Sequence, residues 1–225
     1  MKSWLKYIIE VFVIMFSILA AFWLEEYREE RKERKLEIAI LKEIRDNLRE
    51  DIGEMNEDIG YLSKVVRSSE IVLEHLNNDL PYNDSLSYFF SWLAMSANHE
   101  SMSSGYELML STGSEIISND TLRQQISKLY SSIYPHIYAF LKDRQYMNNQ
   151  PLYLDMLKRF KTYSHLKSAI PRDYEALKTD EDFKVNVMAN ASMIDLTLDL
   201  NINILKIVKS TIAGIEKEIT RLSGE

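Results

Sequence analysis

One apolar segment near the start of the chain constrains the fold more than any other feature. Residues 7–24 are apolar except for Glu10 and Ser17, and the charged run EEYREERKERK (25–35) follows directly. A helix of about 20 residues is about 30 Å long, which is the thickness of the hydrocarbon core of a bilayer. The sequence therefore predicts a transmembrane helix over residues 7–24 that continues into a charged, solvent-exposed helix.

A cleaved signal peptide is the alternative for this segment. Its apolar region is normally shorter and free of charge, and a cleavage site with small residues in an A-x-A-like pattern follows it. Here Glu10 interrupts the apolar run, and the sequence Leu19-Ala20-Ala21 has a large side chain where a small one is needed. We therefore expect an uncleaved, single-pass anchor in the cell inner membrane, preceded by a short tail over residues 1–6.

The distribution of Lys and Arg around the segment predicts its orientation. Lys2 and Lys6 precede the segment. The basic residues that follow it are Arg28, Arg31, Lys32, Arg34 and Lys35, and they alternate with glutamates. Since loops rich in Lys and Arg stay in the cytoplasm, this count favours a cytoplasmic domain over a periplasmic one.

Composition limits what the rest of the chain can be. About 200 of the 225 residues lie outside the apolar segment, enough for one domain with its own core. Only 6 glycines and 4 prolines occur, which favours helices over turn-rich β architecture. The net charge of −7 argues against nucleic acid as a partner. The absence of cysteine excludes disulfides and thiol catalysis.

Two stretches of apolar residues at helical spacing occur, one after the charged run and one at the end of the chain. Apolar residues recur at helical spacing from Leu41 to Leu76, with alternating steps of three and four from Ile52 onward, as in a left-handed coiled coil. We expect a charged collar, residues 25–35, that continues into a helical stalk, and the two together cover residues 25–80. A similar pattern predicts a last helix over about 181–222, which packs back on the stalk.

The segments between these helices predict a helical domain over residues 81–225. The expected helices are 85–97 after Asp84, a short one over 106–110, a long one that begins at Asn119 or Asp120 and is kinked at Pro135, one over about 152–166, and the last one capped by Asp180. No useful stretch alternates with period two. The predicted fold is all-α: a transmembrane helix continuous with a long coiled-coil-like helix, packed with further helices into an elongated antiparallel bundle.

The order of these features resembles a family of uncharacterised bacterial single-span membrane proteins. The resemblance rests on the apolar span with Glu10, on SSGYELML (103–110) and on ISNDTLRQQISKLYSSIY (117–134). In that family a small-small-Gly segment precedes an Asn-Asp-x-Leu-Arg segment and a tyrosine. The resemblance implies a membrane location and a helical domain outside the bilayer. It implies no catalytic role.

The apolar segment contains the first candidate functional residues. A carboxylate such as Glu10 is costly inside a bilayer and often marks an ion or proton path, although it can also extend to the headgroups. Several copies of Glu10 around a common axis would form an acidic ring that selects cations. Ser17, Ala20 and Ala21 give the helix a face of small residues that permits close helix contact. The small-residue face leads us to expect a homo-oligomer. Ser17 is also the second polar residue on a possible ion path.

Tyrosines at helical spacing are the second set of candidates. Tyr130, Tyr134 and Tyr138 are four residues apart, a spacing that is usual for core positions. The alternative is a ligand pocket lined by these rings beside Pro135, with His136 at the same place.

The sequence contains little that suggests catalysis. Its four histidines are scattered, and it has no P-loop, no G-x-S-x-G and no G-x-G-x-x-G. We expect a non-enzymatic protein without cofactor or metal that acts as a sensor, tether or scaffold. Its expected partners are the lipid bilayer, further copies of itself and a further membrane or signalling protein. The alternative is an ion-conducting or proton-coupled assembly that uses Glu10.

Overall fold

A single helix, α1 (Lys2–Asn77), makes up the first third of the chain. The computed structural model describes residues 2–97, 100–144, 147 and 149–224, so Met1 of the predicted tail lies outside the described residues. At 76 residues, α1 is about 110 Å long. It continues without interruption from the apolar segment through the charged collar to the stop at Asn77. The predicted continuous helix is confirmed.

The remaining elements are short until the last helix. They are α2 (Leu86–Phe90), α3 (Ser104–Thr112), a 3-10 turn (Ser114–Ile116), α4 (Asp120–Lys128), a π-helical segment (Leu129–Ile133), α5 (Tyr134–Arg144), α6 (Gln150–Arg159), strands β1 (Phe160–Ser164) and β2 (Ser168–Pro171), α7 (Tyr174–Lys178) and α8 (Glu181–Ser223). The two strands form one antiparallel hairpin in which Ser164 faces Ser168. The structure is 81% helical, which confirms the all-α class.

Helix α8 packs antiparallel along α1. Near the apolar segment, Ile40 and Ile44 of α1 share a core cluster with Ile215 of α8. Further along α1, Leu62 shares another cluster with Ile194, which lies earlier in α8. The ion pair between Arg49 and Glu216, with a nitrogen to oxygen distance of 2.7 Å, agrees with this antiparallel arrangement. Burial of these two apolar faces is the main source of stability, because an isolated helix of this length would leave its apolar stripe in water.

Buried polar residues of α1 hold the shorter helices in place. Oδ1 of Asn47 accepts hydrogen bonds from Gly105 N at 2.9 Å and from Ser104 Oγ at 3.1 Å. Oε1 of Glu37 accepts hydrogen bonds from Ser118 N at 2.8 Å and from Ser118 Oγ at 2.9 Å. These bonds fix the start of α3 and the segment before α4 on α1, and they supply the partners that buried polar groups need.

Two predicted helix starts are confirmed by their caps. Oδ1 of Asn119 accepts a hydrogen bond from Leu122 N at 3.2 Å and caps α4. Oδ1 of Asp180 accepts one from Phe183 N at 3.0 Å and caps α8. A π-helical segment ends at Ile133, two residues before Pro135, and both π-helical segments and prolines are known causes of helix kinks. The kink expected at Pro135 stays a prediction.

The helix predicted over residues 85–97 is wrong in its length. Helix α2 ends at Phe90, and the chain continues in turns to Ala94. Every residue from Phe90 to Met95 is buried. A helix on the surface of a bundle buries only one face. A run of six consecutive buried residues therefore favours a chain that turns inside the core.

The helix predicted over about 152–166 is also wrong in its second half. Helix α6 ends at Arg159, and Phe160 is extended with φ −104° and ψ 142°. The backbone N–H of Arg172 donates to the carbonyl of Arg159 at 2.8 Å, and Leu166 turns the hairpin with a φ of +61°. Strands of four and five residues are too short to give a clear period of two.

A substitution at Gly105 tests how closely α3 approaches α1. A Cβ at this position would lie 2.6 Å from Ile44 N and 2.9 Å from Ile44 Cα, so a larger residue forces the two helices apart. We expect Gly105→Ala to lower the free energy of unfolding by about 1–3 kcal/mol in a denaturant titration. The matched control is Gly60→Ala, because no atom lies within 4 Å of the added Cβ. That change should raise stability by about 0.5–1 kcal/mol. Equal effects of the two substitutions would contradict the close contact.

Candidate ligand-binding cavity

The apolar segment of α1, residues 7–24, is exposed except for the half-buried Ile8. One helix of the described chain is long and apolar enough to cross a membrane, and its apolar window has no buried residue. This segment is therefore not a core helix of the bundle. Glu10, Ser17, Ala20 and Ala21 are all exposed, and Ser17 Oγ donates to the carbonyl of Val13 in the same helix at 2.8 Å. The ion path and the helix interface remain predictions.

A cavity of about 500 Å³ lies in the bundle, between α1, α3, the π-helical segment, α5 and α8. Its apolar lining consists of Met55, Leu110, Pro135, Ile137, Leu141 and Ile204. Four tyrosines line it: Tyr106, Tyr130, Tyr134 and Tyr138. Its polar lining consists of Glu100, Ser101, Ser103, Glu107 and Asn201. This volume lies in the range of about 300–1,000 Å³ typical of small-molecule sites.

Helical spacing and the π-helical segment bring the tyrosines together. Tyr130 belongs to the π-helical segment, and Tyr134 and Tyr138 follow at four-residue steps, so all three line the same side. The rings of Tyr106 and Tyr130 are stacked, with centroids 4.8 Å apart and an interplanar angle of 7°. Tyr134 meets Tyr130 edge to face at 5.5 Å. Such pairs stabilise the packing beyond their buried area, so the wall of the cavity is preformed.

A buried carboxylate from α1 positions the innermost ring. Asp51 is completely buried, and its Oδ2 accepts a hydrogen bond from the Tyr134 hydroxyl at 2.8 Å. Its Oδ1 accepts one from Met102 N at 3.0 Å. Burial raises the pKa of the Tyr134 hydroxyl, and the charge of Asp51 and this hydrogen bond raise it further. The hydroxyl therefore stays protonated and remains a donor at all physiological pH values.

Two carboxylates lie on the more open side of the cavity. Oε1 of Glu100 accepts a hydrogen bond from the Tyr138 hydroxyl at 2.6 Å, and this bond raises the pKa of that hydroxyl. Oε1 of Glu107 accepts one from Ser103 Oγ at 2.6 Å. The side chains of Glu100 and Glu107 are exposed, and Tyr138 is 38% exposed. This side of the cavity is therefore negatively charged and open to solvent.

The hydroxyl of Tyr130 differs from its neighbours. It is buried, and no other described group forms a hydrogen bond with it. Burial raises its pKa, and the nearby charge of Asp51 raises it further, so the group stays neutral. A buried hydroxyl without a hydrogen-bond partner is energetically unfavourable, so the Tyr130 hydroxyl is the unsatisfied polar group in this part of the cavity wall.

The structure brings together three of the four residues predicted for a pocket. Tyr130, Tyr134 and Tyr138 line the cavity, whereas His136 is exposed and is not among the lining residues. Tyr106, Glu100, Glu107 and Asp51 were not predicted. Only Asp51 had a signal in the sequence. It lies three residues after Leu48 and four before Met55, so it falls on the apolar stripe of α1.

No cluster of three or more His, Asp or Glu side chains suitable for a metal ion occurs in the part of the chain that the structure describes. Comparisons of the chain with protein-family models, with curated proteins and with solved structures found no match.

Two tyrosine substitutions test the role of Asp51. Tyr134→Phe removes a donor from a fully buried carboxylate, and we expect the free energy of unfolding to fall by about 1–3 kcal/mol. Tyr138→Phe removes a similar bond to an exposed carboxylate, which water can replace, so its effect should be much smaller. Denaturant titration of both variants measures the difference. A similar loss in both would contradict a special role for Asp51.

Proposed function

We propose that this chain is a non-enzymatic, self-associating, single-pass membrane protein that senses a small ligand in its helical bundle. One observation carries the proposal: α1 contains the exposed apolar segment and also supplies Met55 to the cavity and Asp51 to the hydrogen bond behind it. A ligand that changes the packing around Met55 therefore acts on the helix that enters the bilayer.

The continuity of α1 provides the route between the two sites. From Leu24 to Met55 the helix rises about 45 Å without a break. A ligand shifts such a system only if it binds two arrangements of the bundle with different affinity. The two arrangements would differ in how α1 packs on α8 beside the cavity. A second copy of the chain, or another membrane or signalling protein, would respond to the change at the bilayer. With an empty cavity, the same anchored bundle would act as a tether or scaffold.

Self-association is supported by the face of small residues on the exposed segment. Ser17, Ala20 and Ala21 permit two helix backbones to come close, which favours association in a bilayer. The Ser17 hydroxyl already has a partner in its own helix, so contact there leaves no polar group unsatisfied. The other faces of the segment carry large apolar side chains such as Phe16 and Leu19, which suit contact with lipid.

Cross-linking in membranes tests self-association. The chain has no cysteine, so a single introduced thiol is the only one present. We expect oxidation of Ser17→Cys and Ala21→Cys in native membranes to give disulfide-linked dimers on non-reducing gels. Leu19→Cys is the matched control, because it lies about 200° around the helix from Ser17. Equal cross-linking of all three, or none at Ser17 and Ala21, would contradict the proposed interface.

Ion conduction remains the second hypothesis. Glu10 is exposed on the apolar segment, and a conducting path needs several copies of this carboxylate around one axis. The ion-conduction hypothesis therefore depends on the same self-association. A failure of Ser17→Cys and Ala21→Cys to cross-link would count against both hypotheses.

We propose that the chain is anchored in the cell inner membrane, with the bundle in the cytoplasm. It rests on the excess of Lys and Arg that follows the apolar segment. Single cysteines at Ser3 and Ser223 can be labelled on whole cells with a membrane-impermeant maleimide. We expect labelling of Ser3→Cys alone. Labelling of Ser223→Cys alone would place the bundle outside the cytoplasm and overturn the orientation.

A further inference from the structure

The charged residues that line the cavity are all acidic. Glu100 and Glu107 lie on its open side, and the carboxylate of Asp51 lies behind Tyr134. None of the lining residues within the described part of the chain is Lys or Arg. A lining of this kind repels anions, and it lowers the free energy of a cation inside the cavity.

The aromatic lining favours the same class of ligand. Four tyrosine rings line the cavity together with apolar side chains, and the rings of Tyr106 and Tyr138 are the two most open to solvent. The face of a phenol ring attracts an ammonium group, and clusters of aromatic rings can bind quaternary ammonium ligands. Raised pKa values keep the hydroxyls of Tyr130, Tyr134 and Tyr138 protonated.

We propose that this cavity binds a small organic cation, an amine or quaternary ammonium with an apolar body. The ammonium group contacts the rings of Tyr106 and Tyr138 beside the two carboxylates. The apolar body fills the space between Met55 and Ile204. This assignment rests on the proposed function of the cavity as a ligand site, and it adds the chemical class of the ligand.

The size of the cavity agrees with this assignment. A volume of about 500 Å³ is large enough for an ammonium group together with an aromatic or branched aliphatic body. Inorganic cations fit less well, because they need several oxygen ligands at close range. The described residues contain no cluster of acidic side chains and histidines of that kind.

Calorimetry on the full chain in nanodiscs tests the proposal with two probes of similar shape and opposite charge. We expect benzyltrimethylammonium to bind and phenylmethanesulfonate to bind at least about ten-fold more weakly. Equal binding of the two probes would overturn the cation assignment and leave a ligand site of another class. No binding of either would also overturn it, and the cross-linking of Ser17→Cys would then decide separately whether the self-associating anchor stands.

Variants separate the aromatic contribution from the charge. Tyr138→Leu keeps an apolar side chain but removes the ring, so affinity for benzyltrimethylammonium should fall about ten-fold. Tyr138→Phe keeps the ring and should lose about two-fold at most. Glu107→Gln should weaken binding several-fold, whereas the control Glu115→Gln, an exposed acid outside this cavity, should not change it. Equal affinities of Tyr138→Leu and Tyr138→Phe would contradict a role for the ring.

Discussion

The packing of α8 along α1 is the interaction on which the rest of the structure depends. Among the residues that the structure describes, three clusters of buried apolar side chains form, and each includes residues of both α1 and α8. The shorter helices attach to this pair through apolar contacts and through polar residues of α1, among them Glu37, Asn47 and Asp51. Since the cavity forms between this pair and the shorter helices, a shift of α8 on α1 changes the shape of the cavity.

Much of the architecture could be predicted because it depends on periodicity over long stretches. The extents of α1 and α8, the stop at Asn77 and the caps Asn119 and Asp180 follow from local rules of spacing and hydrogen bonding. The hairpin and the short α2 could not be predicted in the same way. Their conformations depend on tertiary burial, as the consecutive buried residues from Phe90 to Met95 show.

The cavity was predictable only in part, for a related reason. Tyr130, Tyr134 and Tyr138 share one helical face, so their spacing indicates a common surface. Tyr106 and Glu100 come from segments that reach the cavity only after α3 has packed on α1. That packing requires Gly105 and its hydrogen bond to Asn47, a contact between residues 58 positions apart. No local pattern in the sequence gives such a contact.

If the chain senses a ligand as proposed, the exposed collar sets a physical condition on any signal between the cavity and the apolar segment. Residues 25–36 are exposed, and Glu37 is the first buried residue of α1 in the described part of the chain. Over these twelve residues, about 18 Å of helix, side-chain packing cannot pass on a change made in the bundle. The helix itself must move as a body, by rotation or by translation along its axis. A rotation of α1 would turn the face of Ser17 and Ala21 with it, so the proposed self-association and the proposed ligand binding would be coupled through one helix.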